Sequence, residues 1–324
     1  MTEKTSEILI TEILKRIPDN IKPVDYLMEI LALSRDTVYR RLNGSSSFTF
    51  EDIEKLSLEL NFSIDDIIDR KKHDRVSFDM IGDMETSTDE IILAMLNELY
   101  RHFSIHMKAK EARVIISMNR LFIVLVLMYD NLFKFLCYKW AYETHKIPID
   151  FSFSEMKISG EVKALCNKLK EMYKGIGNFV TIIDTHTIFN DIKYIQYYYK
   201  RDLISKEELA SIQEELFMLV DTIELLMRTR VTDEGNKFDF YLSSLNIESN
   251  TAYAVYDGVA ETNFWIYPVS PLRTTDKKTC AMHDQWLKSL KKYSTLITQS
   301  NELKMTQFMK AQREYISNID KFMY

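Results

Sequence analysis

The chain has 324 residues, 46% hydrophobic and 28% charged, which is enough apolar matter for real cores and too much for a disordered polymer. Seven glycines and five prolines fall well below the usual shares of about 7% and 5%, so tight turns are few and long helices are favoured over a many-stranded β-fold. The formal net charge of −6 excludes a global positive field for nucleic acid, so any DNA contact has to come from a local basic cluster.

Residues 5–17 place Ile8, Leu9, Ile13 and Ile17 at helical spacing, and Pro18 followed by Asp19-Asn20 breaks the helix. Short helices follow up to Arg70. In Val24–Gly44, Leu27, Met28 and Leu31 share one face of a first helix, and Leu33 sits in a tight connection. Ser34 is a suitable N-cap for a second helix whose buried face is Val38 and Leu42, and Asn43-Gly44 ends it. The exposed face carries Arg35, Asp36, Thr37, Tyr39 and Arg40. Two helices joined by three or four residues, the second carrying arginine and polar groups, form a helix-turn-helix pattern.

On these residues the chain resembles the phage-repressor (Cro-like, xenobiotic-response) helix-turn-helix family. The resemblance extends past the motif: Thr49–Leu60 looks like the family's fourth helix and Asn61–Ile68 like its closing helix. It implies DNA-facing positions at Ser34, Arg35, Asp36, Thr37, Tyr39, Arg40 and Asn43. It also implies phosphate contacts from Ser45, Ser46, Ser47 and nearby backbone amides. The sequence departs from the family at Met28, where a small residue is usual, at Ala32, where glycine is usual, and at Arg41, where an apolar residue is common. Residues 20–75 hold nine Lys/Arg and eleven Asp/Glu, a balance of 9 − 11 = −2, so the field at the groove would rest on Arg35, Arg40 and Arg41.

Beyond Arg70 a charged stretch ends at Arg75, and residues 74–86 read as a linker. Ser87-Thr-Asp-Glu90 fits a capping box, and helical periodicity runs from there, with one break, to His145. Within it Leu121–Tyr129 is apolar all round. At nine residues it is too short for the roughly 20 that a spanning helix needs, and it is expected either as core or as a dimer seam. Helices are predicted at 155–174, 187–202 and 205–230, with a second capping box at Ser205/Glu208. Alternation at Phe238–Leu242, Thr251–Tyr256 and Thr262–Tyr267, with the hairpin dipeptide Asp257-Gly258, predicts a three-stranded antiparallel meander over 237–268. Helices at 276–293 and 301–320 close the chain.

Signals for chemistry are thin. Glu98, His102 and His106 share a helix face, but there is no third strong metal ligand and no HExxH, so the face is expected to be solvated. His186 with Asp184 and Asp191 is no stronger. No GxSxG elbow is present, and Gly175-Ile-Gly177 opens no P-loop. Cys137, Cys166 and Cys280 are isolated, as reduced thiols would be. The aromatic run Tyr194–Tyr199 reads as core, with a ligand pocket as the alternative. No catalytic residue, metal or cofactor is expected.

The sequence thus predicts a mainly α protein. Residues 1–73 (core 20–72) are a repressor-like helix-turn-helix domain, 74–86 a linker, and 87–324 a larger, mostly helical body with a small antiparallel β-meander near the C-terminus. The expected function is that of a cytoplasmic bacterial transcription regulator binding double-stranded DNA as a homodimer, with a small-molecule effector for the body as an open option and no membrane. The alternative is a protein-interaction module that uses the repressor-like domain to hold a protein partner.

Overall fold

The computed structural model describes residues 5–18, 21–60, 62, 64, 67, 76–82, 86–121, 123–232, 235–266 and 271–321. The chain divides into two compact units, Met1–Ser77 and Phe78–Tyr324.

The first unit is helical: α1 (Thr5–Arg16), α2 (Pro23–Leu31), α3 (Arg35–Leu42) and α4 (Phe50–Glu59). Ile8, Leu9 and Ile13 of α1 meet Leu27 and Leu31 of α2, Val38 of α3 and Leu56 of α4 in one core. Leu27 and Leu56 are fully buried, each contributing about 1.5–3 kcal/mol by removal from water. Of the closing helix predicted at Asn61–Ile68, Phe62, Ile64 and Ile67 are described. Its other residues and the charged stretch 70–75 lie outside the described residues.

The second unit overturns the mainly α expectation. It is a mixed α/β fold on an eight-stranded sheet of order β1-β7-β6-β5-β2-β3-β4-β8. In chain order its elements are β1 (Asp79–Met80), α5 (Thr88–Lys108), β2 (Ala112–Met118), α6 (Ile123–Val126), α7 (Asp130–Glu143), a 3-10 turn (Phe153–Glu155), α8 (Gly160–Tyr173) and β3 (Phe179–Ile183). There follow α9 (Thr187–Lys200), α10 (Lys206–Thr229), β4 (Phe238–Ser243), β5 (Thr251–Tyr256), β6 (Val259–Trp265), β7 (Pro271–Thr274), α11 (Lys277–Lys292), β8 (Ser294–Leu296) and α12 (Glu302–Ser317). Strands β2, β3 and β4 run parallel through helical crossovers, and every other pairing is antiparallel.

The predicted meander fails because β4 does not pair with β5. Two parallel strands, β2 and β3, lie between them, and β4 instead pairs with β3 and β8. The Asp257-Gly258 hairpin joins β5 to β6, with positive φ of 48° and 84° as a two-residue turn requires. Strand β2 interrupts what read as one helical region from Ser87 to His145. Its residues are buried on both faces: Val114, Ile116 and Met118 join the main helical core, and Ile115 joins a smaller cluster with Cys280 and Leu287 of α11. A parallel strand covered on both sides is a continuous apolar run, with no alternation to distinguish it from a buried helix.

One sheet face is thus packed by α5 to α10 and α12, and among the described residues α11 is the helix packed on the other. The capping boxes at Ser87/Glu90 and Ser205/Glu208 both form. Leu121–Tyr129 is not one helix: among its described residues Ile123–Val126 are helical, and Val124, Leu125, Val126 and Leu127 are buried in the core, which removes the dimer-seam option. Among the described residues no helix is long and apolar enough to cross a membrane.

Candidate functional site

Two places are built for more than packing, one in each unit. In the first, α2 begins with Pro23, whose missing N–H costs nothing at a helix start. The chain leaves α2 at Ala32, which adopts the left-handed conformation (φ 53°, ψ 42°) that glycine usually supplies. Ser34 then caps α3: its Oγ accepts from the Thr37 N–H at 3.4 Å and lies 2.9 Å from Thr37 Oγ1. Gly44, at φ 76°, turns the chain away after Asn43.

Asp36, Tyr39, Arg40 and Asn43 are spaced i, i+3, i+4 and i+7, so they share one face of α3. All four are exposed, Tyr39 by 52%. Ser34 and Arg35 are exposed beside them, and Thr37 is half-buried. Not every polar group there is free. The Arg35 guanidinium donates to Asp25 of α2 at 2.8 Å. Asn43 Oδ1 accepts from the Ser45 N–H at 3.1 Å, and the Ser46 N–H donates to the Arg40 carbonyl at 2.9 Å. Those two amides are therefore not available to phosphates, contrary to expectation, although the serine hydroxyls remain.

Arg41 also differs from its predicted place. It points inward beside Val38, paired with Asp52 and 5.6 Å from the Phe48 ring, while Leu42 is only half-buried. Of the three arginines credited to the groove, one is structural, one is held by an acid, and Arg40 has no ion pair among the described residues.

The second place lies between α5 and the sheet of the larger unit. Sequence reasoning expected Glu98, His102 and His106 on a solvated face, but α5 turns that face onto the sheet. His102 Nδ1 is 2.8 Å from Glu261 Oε1, and its Nε2 is 3.3 Å from Glu98 Oε1. Arg101 bonds Glu98 and Glu261 at 2.8 and 3.0 Å. Arg273 of β7 bonds Glu98 at 3.0 Å and Asp79 of β1 at 2.7 Å.

Burial alone would raise the Glu98 carboxyl, but hydrogen bonds and charge from His102 and Arg101 outweigh it and hold it well below the carboxylate range. Glu261 is lowered against its burial in the same way. His102 is opposed by burial and raised by Glu261 and Glu98. The cluster is an internally compensated set of charges. Among the described residues no group of three or more His, Cys, Asp or Glu is placed to hold a metal.

Beside this cluster is a cavity of about 110 Å³. The register explains the space. On the face toward α5, Val114 and Ile116 of β2 stand opposite Ala254 and Ala252 of β5, and these stand opposite Glu261 and Asn263 of β6. Two successive alanines on one strand face leave room where neighbouring strands carry larger side chains. Phe103, Phe179, Tyr256 and Trp265 contribute aromatic wall.

Two polar groups in that wall are unsatisfied. Asn263 is 2% exposed and its Oδ1 has no hydrogen-bond partner among the described residues. His106 Nε2 accepts from the Gly177 N–H at 3.2 Å, which puts the ring proton on Nδ1, where it has no acceptor. Burial lowers His106, keeping it neutral. The Tyr194–Tyr199 run plays no part in this wall. Tyr198 packs against Tyr138 and Phe135, while Tyr194 and Tyr197 are exposed. His186 donates its backbone N–H to Asp184, and Asp191 binds Lys139 and the Leu121 N–H, so that trio is structural. The alanine pair on β5 was the sequence signal for the cavity, legible only once β5 is known to lie beside β2.

Fold and sites together define a small helical unit with a capped helix-turn-helix, joined to an α/β body with a closed charged cluster and an apolar cavity. No family model matches the chain, and no match was found among curated proteins or solved structures.

Proposed function

We propose that the chain is a cytoplasmic bacterial transcription regulator in which α3 enters the major groove of double-stranded DNA, while the body pairs two copies and holds an effector in its cavity. The observation that carries this reading is the capped α2–turn–α3 arrangement with Asp36, Tyr39, Arg40 and Asn43 exposed along one face of α3. A short helix presenting arginine and amide groups is what base edges in the groove require, and a bidentate arginine–guanine pair discriminates by about 1–3 kcal/mol. Arg40 is the side chain best placed for it, with Arg35 available after exchanging Asp25 for DNA. Pairing of copies is part of the reading because one α3 offers few phosphate contacts, and two-fold half-sites about 34 Å apart add their energies.

The cavity end of the charged cluster also reaches the start of the body. Glu98 lines the cavity and binds Arg273, which binds Asp79, the second residue of the larger unit. A cavity occupant that displaced Glu98 would act on the strand from which the helical unit departs.

Fluorescence anisotropy of the full chain against genomic fragments at two salt concentrations tests the reading. Arg40→Ala should weaken a selected site at least tenfold and lower the salt slope if Arg40 also touches phosphate. Equal binding by Arg40→Ala and the parent would remove α3 from the groove. The sequestered charges of Arg35 and Arg41 favour the second reading, a module that grips protein. It predicts no salt-dependent DNA affinity and a stoichiometric protein partner whose binding Tyr39→Ala abolishes.

A further inference from the structure

The cavity beside α5 says more about its occupant than that there is one. Its volume, about 110 Å³, is of the order of the apolar cavity of about 150 Å³ that admits benzene. The walls are mainly aliphatic and aromatic. The charged groups in its wall are Glu98, His102 and Arg120; Glu98 and His102 are already bound to Arg101, Arg273 and Glu261, and the Arg120 charge is offset by Asp191 and Glu143, so they offer little to a charged ligand, and an ion in such a space would lose its hydration unrewarded.

What the wall does leave unrewarded is the Asn263 carboxamide oxygen, together with the His106 Nδ1–H. Buried amides without partners are rare because each costs the free energy of its lost hydration. Asn263 is set on β6 between Glu261 and Trp265, on the cavity face, with Ala252 opposite it on β5, too small to reach it.

We infer that the cavity binds a small uncharged molecule, ring-shaped and largely apolar, that carries a single hydroxyl or amide group bonded to the Asn263 side chain. The ring lies against the aromatic wall above Ala252 and Ala254, and the polar group faces β6. This inference rests on the effector part of the reading above and not on DNA binding, so its test omits DNA.

Phenol and toluene are the probes, because they share size and differ in the group that matters, and benzoate is the somewhat larger, charged comparison. Calorimetry and ligand-observed NMR on the full chain should give one saturable site for phenol. Toluene should bind about tenfold more weakly, the worth of one hydrogen bond, and benzoate should not bind. Asn263→Leu should erase the preference for phenol over toluene while toluene still binds. Ala254→Leu, which fills the space from the opposite strand, should abolish both. If Asn263→Leu does not fold, Asn263→Ala is read in the same way.

The inference is overturned if the parent binds neither phenol nor toluene, if benzoate binds best, or if Ala254→Leu leaves binding unchanged. It is equally overturned if the ratio of phenol to toluene affinity survives the loss of the amide. None of these outcomes depends on whether the chain binds DNA, so failure here and failure of the DNA reading remain distinct.

Discussion

Arg41 and Asp52 form a buried ion pair that locks the end of α3 to the start of α4. The same Asp52 oxygen accepts from the Thr49 N–H at 2.7 Å and the Thr49 hydroxyl at 2.8 Å, so one carboxylate closes a capping box and anchors an arginine. This pair fixes how α3 is presented, and it removes Arg41 from the surface.

Arg41→Met should therefore lower the stability of the helical unit by about 1–3 kcal/mol, since it leaves the buried Asp52 carboxylate with only its Thr49 hydrogen bonds. Arg40→Ala, one residue away and exposed, should change stability by less than about 0.5 kcal/mol. Urea unfolding followed by circular dichroism checks both. Equal effects of the two substitutions would contradict the inward placement of Arg41.

Ala32 holds a left-handed conformation that costs a side-chain-bearing residue about 1–2 kcal/mol, while glycine adds unfolded-state entropy of a smaller size. Ala32→Gly should stabilise the helical unit by about 0.5–1 kcal/mol. A fall in its unfolding midpoint would show that the turn is not strained.

His283, buried between Thr262 and Thr251, is pushed down to about 4 by burial, against the ordinary 6.5. Its neutral form is the folded form, so between pH 6.5 and 4 the unfolded chain binds more protons and stability falls as pH falls. By pH 5 this one group should cost about 2 kcal/mol. His283→Gln should flatten that part of a stability–pH curve, and an unchanged slope would sink the assignment.

His102 has the opposite sign. Burial opposes its charge, yet Glu261 and Glu98 raise it, so the charged form belongs to the fold. Its stabilisation is complete below pH 6.5 and is lost as pH rises through the folded value. NMR titration should find His102 above 6.5, and Glu261→Gln should bring it down. A normal titration of His102 in the parent would dissolve the cluster as drawn.

Gly177 offers a steric test. A Cβ there would lie 2.9 Å from the Asn236 backbone, and the Gly177 N–H serves His106. Gly177→Ala should destabilise the body by about 1–3 kcal/mol, measured by thermal unfolding. An unaltered midpoint would mean that the two loops are not in contact.

Caps at Ser34, Ser87 and Ser205, the turn at Asp257-Gly258, and the periodicity of α9, α10 and α11 are short-range effects, set by residues within a turn or two of each other. Strands β2 and β3 carry no such signal: Val114–Met118 and Phe179–Ile183 are buried on both faces, and an apolar run carries no period.

By itself, the sequence determined where the capped helices α3, α5 and α10 start, that α3 has an exposed polar face, and that β5 turns back on β6. Only the tertiary structure decided that β4 and β5 lie two strands apart and that Arg41 turns inward to Asp52. It alone brought Glu98, His102 and Glu261 together across 160 residues and set two alanines of β5 beside the large residues of β2, leaving Asn263 Oδ1 without a partner. Caps and turns depend on neighbours in the chain. Pairing, burial of charge and empty space depend on which distant segment arrives opposite, and this chain's long apolar strands accept partners without naming them.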